Sequence, residues 1–179
     1  MMQSKTQPQI KFTAYVGASI DGVIAESGKS SNKWASRKDQ IFFQKALKGH
    51  DVFVVGHNTY RVAKERLNKK NTIVFTSKVS VIKKAGSVNF LNPERTNILN
   101  FLKKNKYKRV AILGGAKVYD YFLEHKMFHE FFVTIEPLVF SAGVRMFEGK
   151  KFKIHKFILE SVKKLNKRGT LLLKYKNAN

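Results

Sequence analysis

One carboxylate in this chain has an address suited to chemistry. Asp39 stands just inside a helix start, after Trp34 and ahead of Phe42 and Phe43. Among aromatic side chains a carboxyl group loses solvation, its proton affinity rises, and it becomes able to act as an acid near neutral pH. The local spacing also fits a capping box, with Ser36 as N-cap and Asp39 three residues on, and both readings stand on sequence alone. A second kind of chemistry is anion binding. Val110-Ala111-Ile112-Leu113 reads as a buried strand, Gly114-Gly115 breaks it, and Ala116-Lys117-Val118-Tyr119 opens a helix whose first N–H groups have nothing bulky before them. Gly56-His57-Asn58-Thr59 repeats the theme after Val52-Phe53-Val54-Val55. Here Thr59 can offer a hydroxyl to a phosphate, or Asn58 or Thr59 can act as an ordinary N-cap. Thr76-Ser77-Lys78, just past a third strand, adds hydroxyls and a cation.

Other chemistries are poorly supported. There is no cysteine, and the histidines at 50, 57, 125, 129 and 155 lack ligand spacing, so no metal site is expected. No Gly-x-Ser-x-Gly elbow is present, and neither the Walker loop nor Gly-x-Gly-x-x-Gly occurs. A nucleotide would have to bind by another design.

The elements that must position these residues alternate. Strands are expected at 10–17, 52–56, 72–76, 87–91, 110–113 and 131–135, and helices after Ser36, from Asn58 or Thr59 to about Leu67, from Pro93 to about Asn105, and after Gly115. Ser19 to Lys33, rich in Gly, Ser and Asn, reads as a long functional loop. The tail gives two strands, 153–165 and 170–176, joined around Asn166-Lys167-Arg168-Gly169. This pattern predicts an α/β fold, a mostly parallel sheet with helices on both faces and an antiparallel C-terminal edge. At 179 residues a single domain is expected over 1–179, with 1–9 as a flexible tail. A sheet of this kind binds nucleotides at the carboxyl ends of its strands, where the two glycine turns would meet.

The net charge of +23 comes mostly from scattered lysine, for which a compositional bias is the heavier reading; nonspecific nucleic-acid affinity follows either way. No apolar run reaches the ~20 residues of a membrane span, and the polar start does not resemble a signal peptide, so a cytoplasmic protein is expected.

Taken together and in order, the motifs resemble the dihydrofolate reductase superfamily, which includes the reductase half of riboflavin-biosynthesis proteins. The matching residues are Ala18-Ser19-Ile20-Asp21-Gly22-Val23-Ile24-Ala25, Trp34 with Asp39, Gly56-His57-Asn58-Thr59-Tyr60, Leu113 to Tyr119, and Val133-Thr134-Ile135. The resemblance implies a three-layer α/β/α sandwich on an eight-stranded sheet with about four helices, NADPH as hydride donor, and a small-molecule substrate bound by a monomer or homodimer. It implies that Gly56, His57, Asn58, Thr59, Thr76, Ser77, Lys78 and Gly114, Gly115, Ala116, Lys117, Val118 hold the cofactor. Val16, Gly17 and Ile24 would flank the nicotinamide, with Tyr119 near it. Asp39, held by Thr134 and by a water at Trp34, would be the acid, and Phe42, Phe43 and Lys70 would contact substrate. Trp34, Asp39, Thr134 and Phe43 match dihydrofolate reductases and make 7,8-dihydrofolate the favoured substrate. Ser19-Ile20-Asp21-Gly22 and the stretch Glu136 to Gly149 look more like the riboflavin-type enzymes, which reduce a phosphorylated ribosylamino-pyrimidine. His57 and Lys70 stand where many dihydrofolate reductases carry arginine.

Overall fold

The computed structural model describes residues 9–30, 33–149 and 151–178. The expected tail therefore falls outside the described residues except for Gln9, as do Ser31 and Asn32 of the long loop. Chain order is β1 (Lys11–Ala18), β2 (Val23–Ala25), α1 (Arg37–Leu47), β3 (Val52–Gly56), α2 (His57–Leu67), β4 (Thr72–Phe75), β5 (Ile82–Ala85) and β6 (Val88–Leu91). Then come α3 (Ile98–Lys104), β7 (Arg109–Ile112), α4 (Ala116–Glu124), β8 (Glu130–Ile135), β9 (Val144–Arg145), β10 (Phe157–Lys164) and β11 (Leu171–Asn177).

The central strands read as near-continuous apolar runs because both faces are covered. Val52, Val54, Val55, Ile73, Val74, Val110 and Ile112 are all at most 1% exposed. One core lies under α3 and α4, around Ile98, Leu102, Val118, Phe122 and Phe128. The other lies under α1 and α2, where Tyr15, Phe53, Val55, Tyr60 and Leu67 meet Phe42, Phe43 and Leu47. The result is a three-layer α/β/α sandwich. Its sheet runs β10-β11-β8-β1-β7-β3-β4-β6-β5. The pairs from β8 to β6 are parallel, and β11 and β10 add the expected antiparallel edge.

Three local expectations change. The sheet has nine strands among the described residues, because β5 pairs antiparallel with β6 at the far edge. The third helix begins at Ile98, not Pro93: Asn92 turns the chain by accepting from Glu94 N–H through its side chain and from Arg95 N–H through its carbonyl. Asn97 is the cap, accepting from Asn100 N–H. The long loop contains β2, which pairs with β9. No helix among the described residues is long and apolar enough to cross a membrane.

Strand β1 lies between β8 and β7, and the chain leaves it to cross over to β3. The carboxyl ends of β1, β3, β4, β7 and β8 therefore share one edge, where both glycine turns, Thr76 to Lys78 and Thr134 lie; Lys70 precedes β4 and stands at the opposite end of that strand.

Candidate active site

Asp39 is placed by both of its neighbours in the fold. Ser36 caps α1, its hydroxyl accepting from Asp39 N–H at 3.3 Å. The reciprocal half of a capping box is missing, since Ser36 N–H donates to Glu136 Oε1 at 2.8 Å. The Asp39 carboxyl is thus free, and Thr134 Oγ1 donates to its Oδ1 at 2.7 Å. Burial pushes its proton affinity above the usual carboxylate range; the Thr134 bond opposes this and the charge of Glu136 adds to it. Gly17 keeps the space beside it open: a Cβ there would lie 3.6 Å from Asp39 Oδ2 and 3.9 Å from the Trp34 ring. Trp34 stacks edge-on to Phe140 at 5.2 Å. Its buried Nε1 has no protein acceptor among the described residues.

The two glycine turns meet as expected, through the backbone. Gly56 N–H donates to Gly114 O at 2.7 Å. Gly56 caps α2 and Gly115 caps α4, and neither start has a side-chain cap hydrogen bond. Asn58 and Thr59 therefore do not cap: α2 already begins at His57, which puts both inside its first turn. Thr59 Oγ1 turns toward Gly115, 3.5 Å from where a Cβ would stand. Next to this pair, Lys78 N–H donates to Thr76 Oγ1 at 3.2 Å, and Lys78 Nζ lies 3.4 Å from His57 Nε2. Burial, then Lys78 and Arg61, hold the His57 ring below its usual proton affinity, and its buried Nδ1 has no partner among the described residues.

These features line one cavity of 1840 Å³. It is bordered by Val16, Gly17, Ile24, Asp39, Gly56, His57, Asn58, Thr59, Thr76, Ser77, Lys78, Gly115, Ala116, Lys117, Val118, Tyr119 and Thr134, and it continues past Phe42 and Phe43 to Lys70. Of the expected site residues, Trp34 and Gly114 are not among its lining. Gly114 has φ +84°, and a Cβ there would come within 2.6 Å of the Tyr119 ring.

Tyr119 borders the cavity together with Val16, Gly17 and Ile24. Its hydroxyl donates to Tyr15 O at 2.6 Å, and complete burial drives the phenol far above its usual range. That hydroxyl is bound to the backbone of β1, while the residue itself borders the cavity.

Sequence reasoning missed Tyr15, Phe132 and Glu136. Tyr15 and Phe132 are cross-strand partners, as are Gly17 and Thr134 two residues on. The Tyr15 and Phe132 rings stack at 5.1 Å, with Phe42 at 5.7 Å from Phe132. Burial pushes the Tyr15 phenol up to about 12, so it serves the cavity as an aromatic wall. The signal was the period-two spacing from Gly17 back to Tyr15 and from Thr134 to Phe132 and Glu136.

The geometry combines a desolvated acid, an aromatic slot and two uncapped helix starts beside a cation. The uncapped amides, the unpartnered His57 Nδ1 and the hydroxyls of Thr59 and Ser77 fit a phosphate-bearing dinucleotide.

Comparison with known proteins agrees on the fold. A Bacillus subtilis (strain 168) protein, described only as uncharacterized YwjB, is 26% identical over 149 residues, 76% of this chain and 82% of its own. The crystal structure of a pyrimidine reductase-like protein from Corynebacterium diphtheriae superposes with a TM-score of 0.75 at 14% identity, covering 95% of this chain and 92% of that one. A Thermotoga maritima diaminohydroxyphosphoribosylaminopyrimidine deaminase/5-amino-6-(5-phosphoribosylamino)uracil reductase gives a TM-score of 0.71 at 16% identity, over 95% of this chain and 57% of its own. The family model for the RibD C-terminal domain matches residues 11–171. The chain therefore belongs to the RibD C-terminal domain family, within the dihydrofolate reductase-like superfamily.

Proposed function

We propose that this protein is an NADPH-dependent reductase whose substrate is a phosphorylated ribosylamino-pyrimidine of the 5-amino-6-(5-phosphoribosylamino)uracil type. The observation that carries the reading is the sharing of one cavity by the Asp39–Thr134 pair and the open starts of α2 and α4. Family membership moves the first choice of substrate from dihydrofolate to the pyrimidine.

When bound, the reduced nicotinamide supplies a hydride. Gly56 to Thr59 and Gly114 to Val118 would hold the pyrophosphate by backbone amides, with Thr76, Ser77, Lys78 and His57 along the ribose phosphate. Val16, Gly17 and Ile24 would flank the nicotinamide ring. Asp39, its proton affinity raised by burial, would donate a proton from Oδ2 to the heteroatom of the bond being reduced while Thr134 holds Oδ1. Tyr15, Phe42, Phe43 and Phe132 enclose the heterocycle and exclude water from that proton. Lys70, with Arg66 and Lys69, gives the far end of the cavity a positive rim for a phosphate. Catalysis by this arrangement is placement plus electrostatics.

A second reading keeps the cofactor and takes 7,8-dihydrofolate to tetrahydrofolate. It is favoured by one observation, the threonine-held acid at the end of an aromatic slot with Lys70 beyond it. The test is purified protein with NADPH and each substrate in separate cuvettes, following loss of the reduced nicotinamide signal. Turnover of the pyrimidine is expected; turnover of dihydrofolate alone replaces the first reading with the second. Salt-sensitive RNA binding with no NADPH consumed on either substrate would overturn both.

A further inference from the structure

Glu136 is a buried carboxylate, 3% exposed, that the chemistry above does not use. It follows Thr134 by two residues at the end of β8, so both side chains leave the same face of the sheet, toward α1. Thr134 grips the Asp39 side chain, and Glu136 Oε1 grips the backbone at Ser36 N–H, 2.8 Å away. Glu136 Oε2 accepts from Thr170 Oγ1 at 2.6 Å. Thr170 is itself fully buried and accepts from Asn166 Nδ2 at 2.7 Å, in the turn between β10 and β11. In a capping box the acid at the third helical position closes back on the N-cap N–H. That position is Asp39, and Glu136 has taken its bond.

We propose that Glu136 is a positioning residue for Asp39: it replaces Asp39 in the cap, pins the first turn of α1 to the end of β8, and keeps a second carboxylate beside the acid. The inference rests on the reading of Asp39 as the acid of the site. Around Asp39 stand Thr134 from β8, Gly17 from β1 and Trp34 from the preceding loop, none of which titrates in the working range. The charge that bears on it is that of Glu136. Removing that charge lowers the proton affinity of Asp39; removing the reach displaces it.

Two variants of the full chain separate these effects. Glu136→Gln keeps the reach and removes the charge, and Glu136→Asp keeps the charge and shortens the reach. The Asp39 carboxyl is titrated by carbon NMR in the protein without ligand, and NADPH oxidation is profiled against pH. In Glu136→Gln the Asp39 midpoint should move down, and the alkaline limb of the rate profile should move with it to lower pH. In Glu136→Asp the midpoint should stay near wild type while kcat falls about tenfold, as expected for a displaced catalytic group. NADPH affinity should be unchanged in both. An unmoved Asp39 midpoint in Glu136→Gln overturns the proposal. A shifted midpoint in a protein that turns over neither substrate refutes the reductase reading and leaves this one standing. Should the variants not fold, hydrogen exchange on the wild-type chain decides: a protected Ser36 amide supports the bond to Glu136, and a freely exchanging one overturns it.

Discussion

The four helices of the described residues begin in two ways. α1 and α3 start on side chains, Ser36 and Asn97, whose oxygens accept from the first-turn amides of Asp39 and Asn100. α2 and α4 start on Gly56 and Gly115 with no side-chain cap, and these are the two starts that open directly from parallel strands onto the cavity. With glycine at the cap position, the missing side-chain bond costs a helix only about a few tenths of a kcal/mol. Leaving it out at two adjacent turns keeps amides available for an anion from outside the chain. The difference separates helices that complete themselves from helices left open for the proposed cofactor.

The largest expected effect comes from closing the second kind of start by force. Gly114→Ala places a methyl group at φ +84° against the Tyr119 ring, which is anchored to Tyr15 O. A loss of about 3 kcal/mol or more in chemical denaturation is expected, with NADPH binding lost as well. Next is Asp39→Asn. The kcat for NADPH oxidation should fall by about 10²-fold or more while NADPH affinity stays near normal. The same variant has a signature in stability. A carboxyl whose proton affinity is raised on folding contributes stability below its unfolded pKa, and that contribution is lost as pH rises through the folded value. Asp39→Asn should therefore melt higher than wild type at neutral pH, with the gap closing in acid.

A smaller effect tests the comparison from the ligand side. Gly115 has φ −73°, and a Cβ there makes only an ordinary contact with Thr59. Gly115→Asp should cap α4, raising stability by about a few tenths of a kcal/mol and weakening NADPH binding severalfold in titration calorimetry. The smallest effect on cofactor binding is expected at a self-completed start. Ser36→Ala should cost about 1 kcal/mol in thermal melts and leave NADPH affinity unchanged. A change in cofactor affinity there as large as in Gly115→Asp would erase the distinction.

Much of this fold was legible because the buried strands announce themselves. Val52 to Val55 and Val110 to Ile112 are apolar on both faces and end in glycine, and the glycine turns pointed to the right sheet edge. Strand β5 was not legible, since Ile82-Lys83-Lys84-Ala85 buries no side chain and exists through backbone pairing with β6. The start of α3 was misread because Asn92 and Asn97 are both competent initiators. Burial of Ile98 and Leu102, at 1% and 0% exposure, selects the second. At the site, Asp39 was visible from local context. Glu136 was not, because its partners Ser36 and Thr170 lie 100 and 34 residues away. The spacing of Tyr119 from the glycines locates the residue without saying which way its hydroxyl points, and the bond to Tyr15 O supplies that.

The open sheet ends on β5 and β10, and each leaves a row of backbone donors and acceptors available to another chain. On β10 the danger is greater, because Ile158, Leu159 and Val162 are about half exposed. Both rims carry paired lysines, Lys83-Lys84 on one and Lys163-Lys164 on the other. Copies approaching rim to rim must bring these charges together before any ladder can form. Part of the basic excess thus acts as colloidal insulation, a repulsion that reaches about 8 Å at physiological ionic strength and fades as salt is added.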